Sequence, residues 1–245
     1  MKTNIASALR NSSVVHLTPI FREFHSVFTK YGFKIPKLAK KVQWSDDNIM
    51  DRFIYRKAPW QFREFKRIGI DIPLMLKGNE HNVSRKRVAI IGEAPNRGSE
   101  FEGKGISIGY AYGIGSVKIV TQKTSFYAKL ILRLLNSGCD VYLTDVQKLF
   151  TYPEQNLRHA LIDFEILKRE ISYLRANKFS FLVFGKSAEH VMRGIGLERN
   201  CLFFRHQSWS HETHNDFLKR IASAMKKEWQ FQLNPFSMKK KRRVA

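Results

Sequence analysis

Across residues 87–230, short apolar runs, polar breaks and helical stripes follow one another in a regular order. Residues 88–91 (VAII), 141–143 (VYL), 181–184 (FLVF) and 201–204 (CLFF) are continuous apolar runs, each ending abruptly in small or polar residues. A run without alternation suits a strand covered on both faces, because neither side meets water. Between the runs, apolar residues recur at three- and four-residue spacing, the period of a helix with one buried stripe. Tyr127, Leu130, Ile131, Leu134 and Leu135 form one such stripe, and Gly138 follows as a stop signal. Leu157, Leu161, Phe164, Leu167, Ile171 and Leu174 predict a long helix. Val191, Met192 and Ile195 predict another, opened by Gly185, Lys186 and Ser187, and Phe217, Leu218, Ile221 and Met225 predict a last one. Strands alternating with helices imply an α/β fold. The expected form is a three-layer α/β/α sandwich with a central, mainly parallel four-stranded sheet.

Residues 1–86 read differently, being rich in basic and aromatic side chains, with prolines at 36, 59 and 73. Phe21, Phe24, Phe28 and Tyr31 keep helical spacing, so a helical N-terminal extension is expected. Its aromatics either pack it onto the main domain or face DNA. Residues 77–86 are polar and read as a linker. The organisation expected is therefore an extension over 1–86, a catalytic domain over 87–230 and a basic tail over 231–245. The tail ends KKKRRVA, a solvated run that suits a non-specific DNA tether, a nuclear localisation signal or a disordered end.

Charge narrows the partner. The chain carries 43 Lys and Arg against 21 Asp and Glu, a formal +22 with histidines neutral. Such an excess favours a polyanion, because every phosphate neutralised releases condensed counterions. DNA is the expected partner and a membrane is not, since no long amphipathic basic helix stands out. Two cysteines, Cys139 and Cys201, exclude a disulfide framework or a four-cysteine metal site and read as small buried hydrophobes in a reducing compartment. No stretch approaches the roughly 20 apolar residues of a membrane span, and the N-terminus lacks a signal-peptide pattern. A cytoplasmic, nucleoid-associated monomer is expected, nuclear only if the tail acts as a localisation signal. The glycine-rich stretch at 102–115 fits neither a dinucleotide nor a P-loop pattern and reads as a flexible pocket wall.

Four segments carry candidate chemistry at the strand ends: GEAPN (92–96), YLTDVQK (142–148), GKSA (185–188) and HQS (206–208). In this order they resemble the uracil-DNA glycosylase superfamily over residues 87 to about 226. The first is closest to the GEAPG motif of the thermophile-type iron–sulfur branch, with Asn96 in place of glycine. The resemblance implies cleavage of a base–sugar bond in DNA. Such a reaction builds positive charge on the sugar and negative charge on the base, and the base must be held out of the stack. Glu93 would then orient water or offset the oxocarbenium charge, and His206 would donate to O2 of the leaving base. Each residue also has a plain alternative, Glu93 as a surface carboxylate and His206 as a structural histidine.

Asp145 stands where the related YITNVVK pattern has a uracil-reading asparagine. A carboxylate accepts from the amino group of cytosine but repels O4 of uracil, and a protonated one could also donate to N3. Desolvation would favour that protonated form. The inferred substrate is a cytosine-type, modified base; the plain alternative is an Asp capping the next turn. By the resemblance, Asn96 and Ile106 fall at base-contact positions. Ile106 replaces a stacking aromatic, which leaves Tyr110 or Tyr112 as candidates. Arg97, Lys148, Lys186, Ser187, Ser208 and Trp209 are expected against DNA, with Trp209 as the wedge that fills the vacated stack or as ordinary packing. Neither an iron–sulfur cluster nor any other metal or organic cofactor is expected. The rival readings are an ordinary uracil glycosylase and an inactive DNA-binding protein of the same fold.

Overall fold

Parity along each strand decides which helices a side chain meets, because successive residues face opposite sides of a sheet. The computed structural model describes residues 13–15, 18–35, 41–43, 54–78, 86–95, 98–113, 126–153, 157–205 and 212–233. The first half of the chain forms β1 (Ser13–Val15), α1 (Thr18–Lys30), β2 (Lys41–Gln43), β3 (Ile54–Arg56), β4 (Arg67–Ile72), β5 (Leu74–Leu76), β6 (Arg87–Gly92) and β7 (Ile106–Tyr110). The second half forms α2 (Phe126–Asn136), β8 (Asp140–Asp145), β9 (Leu149–Tyr152), α3 (Leu157–Ala176), β10 (Ser180–Phe184), α4 (Lys186–Gly194), β11 (Cys201–Phe204) and α5 (His214–Trp229). No helix among the described residues is long and apolar enough to cross a membrane.

The four runs read from the sequence are neighbouring parallel strands, in the order β11-β10-β6-β8. They do not make up the whole sheet. β5, β1 and β2 continue it antiparallel from β8, so the expected four-stranded, mainly parallel sheet is one end of a seven-stranded mixed sheet. An uncovered edge of β8 would expose a row of unpaired backbone groups, and β5 satisfies them with Leu74 opposite Leu143 and Leu76 opposite Val141. A second sheet, in the order β3-β7-β4-β9, pairs β4 with β7 in parallel and adds an antiparallel strand on each side.

Val88, Ile90, Val141, Leu143, Leu182 and Phe184 share a core with α2 and α5 through Leu130, Leu134, Phe217 and Ile221. The residues of opposite parity, Ala89, Ile91, Tyr142, Phe181 and Val183, pack with α3 and α4 through Leu167, Ile171, Ala188 and Met192. Along α3 the stripe differs from the expected one. Leu161 and Phe164 are more than half exposed, while Ile162 and Ile166 are buried in their place.

The N-terminal residues are not a helical appendage. α1 is present, but residues 13–76 also supply strands to both sheets. Phe24, Phe28, Phe33, Phe62 and Phe65 are all buried, with Phe28 edge-on to Phe33 at 5.4 Å and Phe33 at 4.8 Å from Phe62. These rings fix α1 to the second sheet, so packing is the role of this aromatic group. The glycine-rich stretch is likewise not a flexible wall throughout, since residues 106–110 form a fully buried strand. ISIGY carries no legible strand pattern in the sequence because it is short and interrupted by small residues.

Replacing Phe33 by Ala is expected to destabilise the protein by about 3–5 kcal/mol, and Phe164→Ala by less than about 0.5 kcal/mol. Urea denaturation of the two variants checks both the integration of the N-terminal residues and the register of α3.

Candidate functional site

Strand order locates the site before any side chain is considered. From β6 the chain passes to β8 on one side and later to β10 on the other. In a parallel sheet, the crevice beyond the carboxyl ends at such a divergence is where ligands bind. Glu93 follows β6 directly, Gly185 follows β10, and Asp145 ends β8. Gly92 is the register partner of Asp145, and beyond it the N–H of Val146 donates to Gly92 O and that of Gln147 to Glu93 O, both at 3.0 Å. The GEAPN and TDVQK segments are thus zipped side by side.

Two glycines allow the close approach. A Cβ on Gly92 would lie 2.3 Å from Asp145 Oδ1 and 2.9 Å from Tyr112 Oη. One on Gly185, whose φ is +102°, would lie 2.3 Å from the Glu93 carboxyl. Glu93 Oε1 accepts from the Ser187 N–H at 3.0 Å, at the first turn of α4. The Gly-Lys-Ser turn, whose Lys186 and Ser187 are expected against DNA, therefore holds the chain's own carboxylate, and the Ser187 N–H is already used. Lys186 is exposed beside it.

Asp145 is buried, at 7% exposure. Tyr112 reaches it from the loop after β7 with a left-handed backbone, φ 62° and ψ 15°, an uncommon conformation for a tyrosine. Its ring centroid is 4.7 Å from that of Tyr127, at the start of α2. Burial first, then the Asp145 charge, pushes both phenols well above the ordinary tyrosine range; Asp71 adds to the effect at Tyr112 and Glu93 at Tyr127. Both tyrosines are therefore neutral hydrogen-bond donors at physiological pH. The Tyr112 hydroxyl is buried with no hydrogen-bond partner among the described residues. Leaving such a group unpaired costs about 1–3 kcal/mol, so its position beside Asp145 asks for an acceptor.

Lys148, expected on DNA, is corrected by its burial. Only 1% of its side chain is exposed, and its ammonium donates to Glu170 Oε2 and Thr144 Oγ1, each at 2.5 Å, and to the carbonyl oxygen of Asp145. Those three acceptors use all three ammonium hydrogens. Glu170 Oε1 accepts from Tyr142 at 2.5 Å and Thr144 at 3.0 Å, which completes a closed buried network. Asp163, also on α3, accepts from the backbone N–H groups of Lys148 and Leu149. Burial pushes its carboxyl up to about 7, against the lowering effect of those bonds and of the Lys148 charge.

Ile106 is also displaced from its expected role. It begins β7, is buried in the core of the second sheet, and lies at the far end of that strand from Tyr112. Tyr110 is buried opposite Ile72, and burial raises its hydroxyl to about 12. Asn96, Arg97, His206, Ser208 and Trp209 lie outside the described residues, as do residues 234–245 of the basic tail. The sequence reading missed Tyr127, Asp71, Asp163 and Glu170. A lone Asp inside the apolar strand RIGIDI was the available signal for Asp71; Tyr127 was hidden in its helical stripe. No group of three or more His, Cys, Asp or Glu among the described residues is placed to hold a metal. Cys139 and Cys201 are unpaired thiols that burial raises to about 12, which leaves them unreactive.

Lys148→Ala is expected to cost about 3–5 kcal/mol because Glu170 stays buried without its counter-charge, and the pair Lys148→Met with Glu170→Gln should recover at least half of that. Thermal melts of the three proteins give the comparison. Asp163 favours its neutral form in the fold, so its contribution is full in acid and is lost as pH rises through about 7. The loss between the ordinary carboxylate range and about 7 is on the order of 4 kcal/mol. Asp163→Asn keeps an acceptor for both N–H groups, so urea titrations from pH 4 to 8 should show a flatter stability profile than the parent.

No protein-family model, curated protein or solved structure matches this chain.

Proposed function

We propose that this protein is a monomeric, cytoplasmic DNA glycosylase that hydrolyses the N-glycosidic bond of a flipped-out, modified cytosine and leaves an abasic site. The observation that carries this reading is the pairing of Gly92 with Asp145, which brings the Asp145 carboxylate to the same strand-end edge as Glu93, beyond the parallel strands. In the reaction the C1′–N1 bond breaks and its electron pair leaves with the base. Water oxygen bonds to C1′, and its proton passes to Glu93. The Ser187 N–H fixes one oxygen of Glu93, and the other, Oε2, is the one assigned to water. Asp145 accepts from the exocyclic amine, which favours cytosine over uracil. Tyr112 offers its unpartnered hydroxyl to a base acceptor. His206 donates to O2 of the leaving base, and Lys186 with the overall +22 charge holds phosphate. A hydroxymethylated or glucosylated cytosine is the favoured substrate, since excision of the ordinary base would damage the host's own DNA. Destruction of phage DNA is the matching role.

A second reading has its own observation. The Ser187–Glu93 hydrogen bond is what a purely structural helix cap would make, as in an inactive DNA-binding protein of this architecture. Glu93→Gln separates the two, because glutamine still accepts from Ser187. Labelled DNA carrying uracil, cytosine, 5-hydroxymethylcytosine or its glucosylated form is treated with protein and then hot alkali. Cleavage at a cytosine derivative is expected. Glu93→Gln should lower it at least about 100-fold while the melting temperature stays unchanged. Asp145→Asn should abolish it and leave or create activity on uracil. Cleavage by the parent at uracil alone would overturn the base assignment, and tight binding with no abasic product would favour the inactive reading.

A further inference from the structure

The second sheet opens, at its end away from Tyr112, into a groove of about 520 Å³. Arg56, Lys57, Arg63, Lys66 and Lys104 line it, and all five are exposed. No carboxylate lines it, and among the described residues none of the five has a carboxylate partner. The floor is Phe62, Phe65 and Ile68, each buried. Gly105 has φ +71°, and a Cβ there would lie 2.4 Å from the Arg56 carbonyl oxygen, so glycine lets β3 close against the start of β7.

Two large rings stand out at this end of the chain, where Phe24, Phe28, Phe33, Phe62 and Phe65 are buried. Tyr55 lines the groove at 43% exposure, with the Lys104 ammonium 5.7 Å from its centroid. Trp60, 78% exposed, opens the 3-10 turn Trp60–Phe62 that turns Phe62 into the floor. Packing explains Phe62 but leaves Trp60 without a structural task.

We infer that this groove binds an unpaired DNA strand, its phosphates on the five cations and its bases stacked on Tyr55 and Trp60. A row of cations with no acid among them matches a phosphate backbone. Exposed rings beside that row match bases, since every base offers a π-face. A duplex keeps its bases stacked on one another and away from such rings. A lipid surface would call for apolar side chains that project, whereas Phe62, Phe65 and Ile68 lie beneath the cations. The length of β7, roughly 13 Å at about 3.3 Å per residue, separates this groove from the Glu93 and Asp145 edge. Binding here is therefore independent of chemistry there, and binding is the readout.

The test is fluorescence anisotropy of the full chain with a labelled oligothymidylate, across a salt series. The variants are the triple Lys57→Ala/Arg63→Ala/Lys66→Ala, the single changes Trp60→Ala and Tyr55→Ala, and a control triple of equal charge, Lys168→Ala/Arg175→Ala/Lys226→Ala, on α3 and α5. Every replaced side chain is exposed. The groove triple should weaken binding at least tenfold more than the control and lower the log–log salt slope by about 2, at about 0.7 per phosphate. Each ring change should cost about 5- to 150-fold, the range for one base stack. The parent should prefer the single strand to a duplex of equal length. Equal losses in the two triples would overturn the inference. So would ring changes without effect, or anionic vesicles binding with the same dependence on Tyr55 and Trp60. A failure of base excision would leave all these outcomes untouched.

Discussion

The buried ammonium of Lys148 is the constraint on which the site geometry depends. Removing a lysine charge from water costs several kcal/mol, and the fold accepts that cost only because Glu170, Thr144 and the Asp145 carbonyl take all three hydrogens. The network joins the end of β8 to the middle of α3, while Asp163 holds the following turn by its backbone N–H groups. Asp145 is consequently held from behind, by its own carbonyl, with its carboxylate turned toward Gly92 and Tyr112. A side chain built to meet a ligand needs such support from behind its backbone.

Charge is distributed against the overall balance. The protein carries +22, yet the edge beyond the parallel strands holds Glu93 and Asp145. The cations collect elsewhere, most visibly in the groove at the other end of the second sheet. Long-range attraction for a polyanion and two local carboxylates are compatible because screening confines each to its own surface within about 10 Å. In the proposed reaction the carboxylates would suit a developing sugar cation, and the cationic exterior phosphate. The neutral phenols of Tyr112 and Tyr127, both close enough to feel the Asp145 charge, give this edge donors that do not add charge.

The two halves of the chain differed in how much of them could be read. The four parallel strands carry three or four consecutive apolar residues each and were legible as strands, as were α2, α3 and α5 from their stripes. β1, β2, β3 and β5 are three residues long, too short for any period to register, and they become strands only because an unfilled edge accepts them. The exposed Leu161 and Phe164 show the same limit from the other side, since spacing fixes a stripe but not which of two adjacent stripes meets the core.

At the site the sequence by itself determined which residue types stand at the strand ends: Glu93 after Gly92, Asp145 at the end of β8 and Gly185 after β10. Those identities are local, and a carboxylate beside a glycine at the end of an apolar run is readable without a fold. Tertiary structure alone decided which of these groups meet and which are used up. Lys148 follows Asp145 by three residues and looked like a phosphate contact; Glu170, 22 residues further on, makes it an internal strut. Ser187 looked like part of an anion cradle, and Glu93, 94 residues earlier, already occupies its N–H. Tyr112 and Tyr127 come within reach of the Asp145 charge from two different elements. A hydrogen bond or a buried charge pair depends on distances of a few ångströms between segments far apart in the chain, and only the packing of the sheets and helices sets those distances.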